Sequence, residues 1–319
     1  MANILIEAKQ LEKQYGKQKV VKNADFQIKE GQIVGLIGPN GAGKTTIMKM
    51  LGGLVLPTEG TISIYEETTE EGLAKARSRM SFMIETPYAK ENMTARENLE
   101  KQRIMKGIPD KKRVDEVLEL VGLADTGKKT VKKFSLGMRQ RLGIANALMT
   151  KPEIMVMDEP INGLDPEGIV EIRELLLKLN QEEHITIIIS SHILSELSLL
   201  CTDYIFIHHG ELLQCISAEE LKQICKETYH IHTDNDAVAL AVLQDKLGVK
   251  EYDVEKNGSI RLYEKLDELA VVSKTLYEGG VIPLTLELTE ANLEQYYMDM
   301  VGEQNVESDE STKLSGKKR

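Results

Sequence analysis

The stretch Gly38-Pro39-Asn40-Gly41-Ala42-Gly43-Lys44-Thr45 constrains this chain more than any other. It fits the pattern G-x-x-x-x-G-K-[ST]. An apolar run, 33–37, leads into it, and a helix-like segment, 46–51, follows. Strand, glycine loop and helix in that order make a phosphate-binding site out of a motif match. Glycines let successive backbone N–H groups turn inward and approach phosphate oxygens closely. The helix N-terminus behind them adds partial positive charge. Lys44 brings a full charge to the β- and γ-phosphates, and the Thr45 hydroxyl is placed to ligate Mg²⁺.

A second group of residues supports that reading. Residues 154–157 form an apolar strand ending in Asp158-Glu159-Pro160. Adjacent carboxylates at the end of a buried strand are costly unless used. Asp158 suits Mg²⁺ binding, and Glu159 can polarise an attacking water. A β-branched strand, 185–189, ends in Ser190-Ser191-His192. Gly38, Asp158 and His192 all follow strand ends. In a mostly parallel sheet, ligands sit beyond the carboxyl ends of the strands, so one sheet edge can gather all three. Tyr15 precedes the phosphate loop. It is either a ring that stacks on an adenine base or a surface tyrosine beside a glycine turn.

The rest of the chain organises around this core. Strands are expected at 4–8, 26–28, 61–64 and 80–84, with turns at 13–17, 29–32 and 57–60. From Thr94 to about Gly143 the apolar spacing is helical, and Thr94 with Glu97 forms a capping box. This region reads as a helical subdomain, about 87–143, inserted into an α/β core. A helix is expected at 167–180 and a hairpin across His209-Gly210. The core spans 1–217. Beyond it, 218–301 reads as a small α+β accessory domain. Its strands are expected near 227–232, 250–255, 259–263 and 281–288, and its helices at 236–247, 266–278 and 290–300. The polar stretch 302–319 is expected to be a disordered tail.

Composition narrows the classes. The 319 residues carry a net charge of −11, which argues against a nucleic-acid partner that relies on a basic surface. Cys201, Cys215 and Cys225 show neither zinc nor disulfide spacing, and a reducing cytoplasm is the expected compartment. The N-terminus lacks the shape of a signal peptide. No uncharged apolar run approaches the ~20 residues of a membrane span, so any spans would come from another chain.

With these residues in view, the chain resembles the nucleotide-binding subunits of ABC transporters over residues 4 to about 216. Tyr15 matches the aromatic A-loop. GPNGAGKTT, from Gly38 through Pro39, Asn40, Gly41, Ala42, Gly43, Lys44 and Thr45 to Thr46, matches Walker A. IMVMDEP at 154–160 matches Walker B, with Glu159 as its catalytic glutamate. The 162–165 segment matches the D-loop, and His192 matches the switch histidine. The signature region is similar but altered. It reads FSLGM, with Leu136 where the first glycine usually stands and Met138 where glutamine does, while Ser135 and Gly137 are retained. Glu85 aligns with the Q-loop glutamine. A glutamate there, with the signature stretch and the C-terminal extension, resembles the ATPases of bacitracin- and lantibiotic-resistance exporters.

The resemblance implies a P-loop NTPase core of the ABC ATPase type. It implies ATP and Mg²⁺, with Thr45, Glu85 and Asp158 on the metal side and Glu159 and His192 catalytic. It also implies a head-to-tail homodimer, in which Ser135 and Gly137 of one copy face the nucleotide held by the other. Separate integral membrane permease subunits would place the dimer at the inner face of the cell membrane. The function implied is to power efflux of, or resistance to, a peptide antibiotic. The alternative is a soluble ABC-type ATPase acting on ribosomes or DNA. Such proteins usually carry tandem ATPase domains or long coiled coils, and this chain has one such domain and no long coiled coil. A non-hydrolysing regulatory module fits less well, because Glu159 and His192 are both present.

Overall fold

Five consecutive buried residues, Ile33–Ile37, form the strand that delivers the phosphate loop, and the surrounding elements are arranged about it. The computed structural model describes residues 3–84, 89–224, 228–255, 258–265, 268–289, 293–298 and 300–302. Contacts divide the chain into two compact units, Met1–Ala218 and Glu219–Arg319.

The first unit opens with β1 (Ile4–Tyr15) and β2 (Gln18–Lys29), a long antiparallel hairpin turning at residues 16–17. Sequence expects strands only over 4–8 and 26–28. The hairpin is longer because Leu11, Val21 and Ala24 continue the buried face beneath otherwise polar residues. Next come β3 (Ile33–Ile37), the phosphate loop and α1 (Lys44–Leu51). β4 (Glu59–Ile64) returns to pair antiparallel with β1. α2 (Glu70–Arg77) is capped by Thr69, whose side chain accepts from the Gly72 N–H. Sequence periodicity does not reveal this helix, which buries only Ala76. β5 (Met80–Met83) ends the first half.

The helical stretch expected over 94–143 is three separate helices: α3 (Ala95–Met105), α4 (Lys112–Leu120) and α5 (Leu136–Leu148). The capping box is present, with the Thr94 side chain bonded to the Glu97 N–H and the Glu97 carboxylate to the Thr94 N–H. Glycines at 107, 122 and 127 take positive φ and break the run. α5 passes Gly143 to Leu148 because Ile144, Ala145, Ala147 and Leu148 keep one side buried. β6 (Ile154–Asp158), α6 (Pro166–Gln181), β7 (Thr186–Ser190), α7 (Leu194–Ser198), β8 (Asp203–His208) and β9 (Glu211–Ser217) complete the unit.

The nine strands form one sheet in the order β4-β1-β2-β9-β8-β3-β7-β6-β5. β8, β3, β7, β6 and β5 run parallel. β3, β6 and β7 are buried along their whole length, as expected for strands covered on both faces. Their carboxyl ends therefore lie side by side at one sheet edge, the place where α/β sheets bind ligands.

In the second unit, α8 (Ala218–Ile224) precedes β10 (Thr228–Thr233), α9 (Asp236–Leu247), β11 (Tyr252–Val254), β12 (Ile260–Leu262), α10 (Leu269–Glu278) and β13 (Pro283–Thr289). The sheet order is β11-β12-β10-β13 with every neighbouring pair antiparallel. That is the split βαβ arrangement of ferredoxin-like folds. Tyr229, Ile231, Ile260 and Leu262 on the sheet pack with Leu243, Val272 and Leu276 from the two helices. Residues 293–298 and 300–302 are helical, and the tail expected to be disordered lies, from 303 on, outside the described residues.

Candidate nucleotide-binding site

Gly43 has φ 111, a backbone conformation that side chains rarely adopt. It also lies against the β1–β2 hairpin, where an added Cβ would stand 2.8 Å from the Val20 carbonyl oxygen. At the other end of the loop, a Cβ on Gly38 would stand 2.2 Å from the Ile207 carbonyl oxygen. The phosphate loop is thus wedged between β2 and β8, and its glycines are demanded by space as well as by φ. No side chain caps the start of α1, so its first amides remain available to an anion.

Lys44 points back into this loop. Its Nζ donates to the Gly38 carbonyl at 2.6 Å and to the Pro39 carbonyl at 3.3 Å. Burial lowers its pKa, and the carboxylates of Glu159 and Asp158 oppose that shift. Glu159 Oε1 lies 4.0 Å from the Lys44 Nζ. Pro39, Asn40 and Gly41 form the exposed lip of the loop, Ala42 is buried, and Thr46 is half-buried on α1.

β6 brings the carboxylates in. The Thr45 hydroxyl donates to Asp158 Oδ2 at 2.6 Å, joining loop to strand. Glu159 follows with φ 52 in the left-handed region, which costs a non-glycine residue roughly 1–2 kcal/mol. This turn carries its carboxylate toward β7. There His192 Nδ1 lies 2.8 Å from Glu159 Oε2. A bond to a carboxylate puts the proton on Nδ1 and leaves Nε2 facing away from Glu159.

Gly38, Lys44, Thr45, Asp158, Glu159 and His192 therefore share the carboxyl edge of β3, β6 and β7. Ser190 belongs with them and was not marked by sequence. Its hydroxyl donates to Asp158 Oδ1 at 2.5 Å and accepts from the Glu159 N–H at 3.0 Å. The only sequence signal is its place two residues before His192.

Two other groups stand apart. Tyr15 ends β1 and is 48% exposed, and the Lys13 ammonium lies 5.0 Å from its ring centroid. One aromatic face is thus covered by a cation. Ser135 caps α5, its side chain accepting from the Met138 N–H, and Gly137 follows in the first turn. Among the described residues, no hydrogen bond ties Ser135 or Gly137 to the phosphate loop of the same chain. Leu136, which replaces the usual glycine, is exposed and lies 3.3 Å from where a Cβ on Gly163 would be. Glu85 lies outside the described residues.

Residues 21–162 match the family described as ABC transporter. The bacitracin transport ATP-binding protein BcrA of Bacillus licheniformis is 41% identical over 298 residues, 93% of this chain and 97% of that protein. The lantibiotic transport ATP-binding protein SrtF of Streptococcus pyogenes is 43% identical over 66% of this chain and 89% of its own. Among solved structures, a dimeric ATP-binding cassette in a post-hydrolysis state with ADP and Pi is 28% identical with a TM-score of 0.60. It covers 67% of this chain and 99% of that one. The phosphate loop wedged at the sheet edge, the carboxylate pair beside it and these likenesses together place the chain in the family of ABC transporter ATP-binding subunits, which bind and hydrolyse ATP.

Proposed function

We propose that this chain powers export of a bacitracin- or lantibiotic-like peptide antibiotic. The observation that carries the reading is the co-linear match to a bacitracin transport subunit over 93% of this chain, which takes in the C-terminal unit as well as the core.

In this reading the loop amides and Lys44 hold the ATP phosphates, and ATP draws the Lys44 ammonium away from the Gly38 and Pro39 carbonyls. Tyr15 stacks on the adenine with the face that Lys13 leaves open. Thr45 and Asp158 offer a hydroxyl and a carboxylate, the hard oxygen donors that suit Mg²⁺, and Glu85 is proposed as a further oxygen donor. When bound, Mg²⁺ would supply positive charge against the negative charge that develops on the phosphate. Glu159 takes the proton of the attacking water, and His192 fixes its carboxylate through Nδ1. Two copies associate head to tail, so that Ser135 and Gly137 of each complete the other's site. The C-terminal unit acts as an accessory domain outside the hydrolytic machinery.

No helix among the described residues is long and apolar enough to cross a membrane. Separate permease subunits are proposed to supply the spans, with this chain at the inner membrane face. The test is expression with a candidate permease in antibiotic-sensitive cells. Tolerance to bacitracin or a lantibiotic should rise several-fold with the wild-type pair and not with Glu159→Gln. Unchanged tolerance with both proteins present at the membrane would refute the export reading.

A further inference from the structure

β6 and β7 run parallel with Asp158 opposite Ser190. This register puts the last residue of one strand beside the last residue of the other, and the consequences fall on one hydroxyl. Ser190 is fully buried. Its Oγ donates to Asp158 Oδ1 at 2.5 Å and accepts from the Glu159 N–H at 3.0 Å. The same N–H also reaches the Ser190 carbonyl at 3.2 Å.

We propose that Ser190 is a positioning residue for ATP hydrolysis, one hydroxyl fixing both Asp158 and Glu159. The proposal rests on the reading of Asp158 as the metal-side carboxylate and Glu159 as the base. Each half has its own physical reason. The Asp158 carboxylate is held at both oxygens, by Thr45 on Oδ2 and Ser190 on Oδ1. With both occupied, the group cannot swing about its terminal torsion, and Oδ2 stays presented to the loop. Glu159 adopts φ 52, which must be imposed by its surroundings. Its N–H donates to both the hydroxyl and the carbonyl of Ser190, which holds that turn, and the turn aims the carboxylate at His192. A hydroxyl does both tasks at one atom, because it donates one hydrogen bond while accepting another. Alanine removes both hydroxyl contacts and leaves the Glu159 N–H only its longer bond to the residue 190 carbonyl, at 3.2 Å here, and cysteine fills the space with a weak donor and weak acceptor.

The role separates from simple space-filling in the kinetics. Phosphate binding is assigned to the loop and Lys44, while the Ser190 hydroxyl bonds Asp158 and Glu159. Losing Ser190 should therefore slow turnover without weakening nucleotide binding. The experiment compares Ser190→Ala, Ser190→Cys and Ser190→Thr with wild type, and carries Glu159→Gln in parallel. Steady-state ATPase gives kcat and KM, a fluorescent ATP analogue without Mg²⁺ gives affinity, and hydrogen exchange of the nucleotide-free protein follows the Glu159 amide.

Alanine and cysteine variants should lose about tenfold or more in kcat, the scale of a lost hydrogen bond to a charged group. KM and metal-free affinity should stay within about twofold, the Glu159 amide should exchange faster, and threonine should recover most of the rate. A wild-type kcat in Ser190→Ala or Ser190→Cys overturns the proposal, as does an unchanged Glu159 amide. So does a fall in affinity that matches the fall in kcat. If Glu159→Gln also turns over at the wild-type rate, the assignment of the base has failed. If it is inactive while Ser190→Ala is not, only the positioning role has failed.

Discussion

Lys44 and Glu159 face each other across 4.0 Å, yet removing them should have opposite signatures. Lys44→Ala deletes the charge proposed to meet the phosphates. Loss of charge-assisted contacts on this scale is about 3 kcal/mol, so ATP affinity should fall more than a hundredfold in equilibrium binding. Retained affinity would remove the phosphate loop from the site. Glu159→Gln keeps the cradle and removes the proposed base, so turnover should fall about a hundredfold or more while ATP stays bound. Gel filtration of that variant with ATP should show a dimer, and a wild-type rate would assign the base elsewhere. Both residues are legible in sequence because each sits inside a contiguous motif. Ser190 is not, because its partner Asp158 is 32 residues away and only the β6–β7 register joins them. His192 is intermediate. Its place after a strand end is visible, but its bond to Glu159 depends on the left-handed turn of Glu159, which a glutamate does not advertise.

Among the elements, those with local signatures were readable and those that depend on partners were not. The Thr94 capping box and the buried β3, β6 and β7 announce themselves by spacing and apolarity. The length of β1 and β2 does not, since the far half of each is largely polar and becomes strand by pairing. The same contrast separates two glycines. Gly38→Ala would place a Cβ 2.2 Å from the Ile207 carbonyl, so the backbone must shift, at about 1–3 kcal/mol measured by urea unfolding. Gly137 stands in the first turn of α5, and the nearest atom to an added Cβ is 3.9 Å away. Gly137→Ala should leave stability unchanged or raise it by up to about 1 kcal/mol. If α5 meets the partner's nucleotide as proposed, the same variant should lower ATPase activity several-fold, because the methyl group stands where a phosphate must approach. A fully active, stable Gly137→Ala would argue against that interface.

At the scale of the whole molecule, the sequence changes character around Ser217, and nothing beyond it has catalytic spacing. The sheet orders were not visible, because β9 returns beside β2 and β10 sits between strands that follow it. Those orders carry a testable consequence. All nine strands of the large sheet end by Ser217. A buried cluster in the first unit includes residues from Leu5 to Ile207, and the second unit has a cluster of its own around Tyr229, Leu243 and Val272. Every residue proposed to meet the nucleotide also precedes the boundary. A chain ending at Ala218 should therefore fold, bind ATP with affinity within about threefold of the full chain, and hydrolyse it at a comparable rate. The measurements are thermal unfolding with and without ATP, where a ligand at a hundred times its Kd adds about 2.7 kcal/mol, and steady-state ATPase. A cooperative unfolding transition that ATP no longer shifts would mean the C-terminal unit contributes to the nucleotide site. If hydrolysis survives but antibiotic tolerance with the permease is lost, the second unit belongs to coupling or dimer contact.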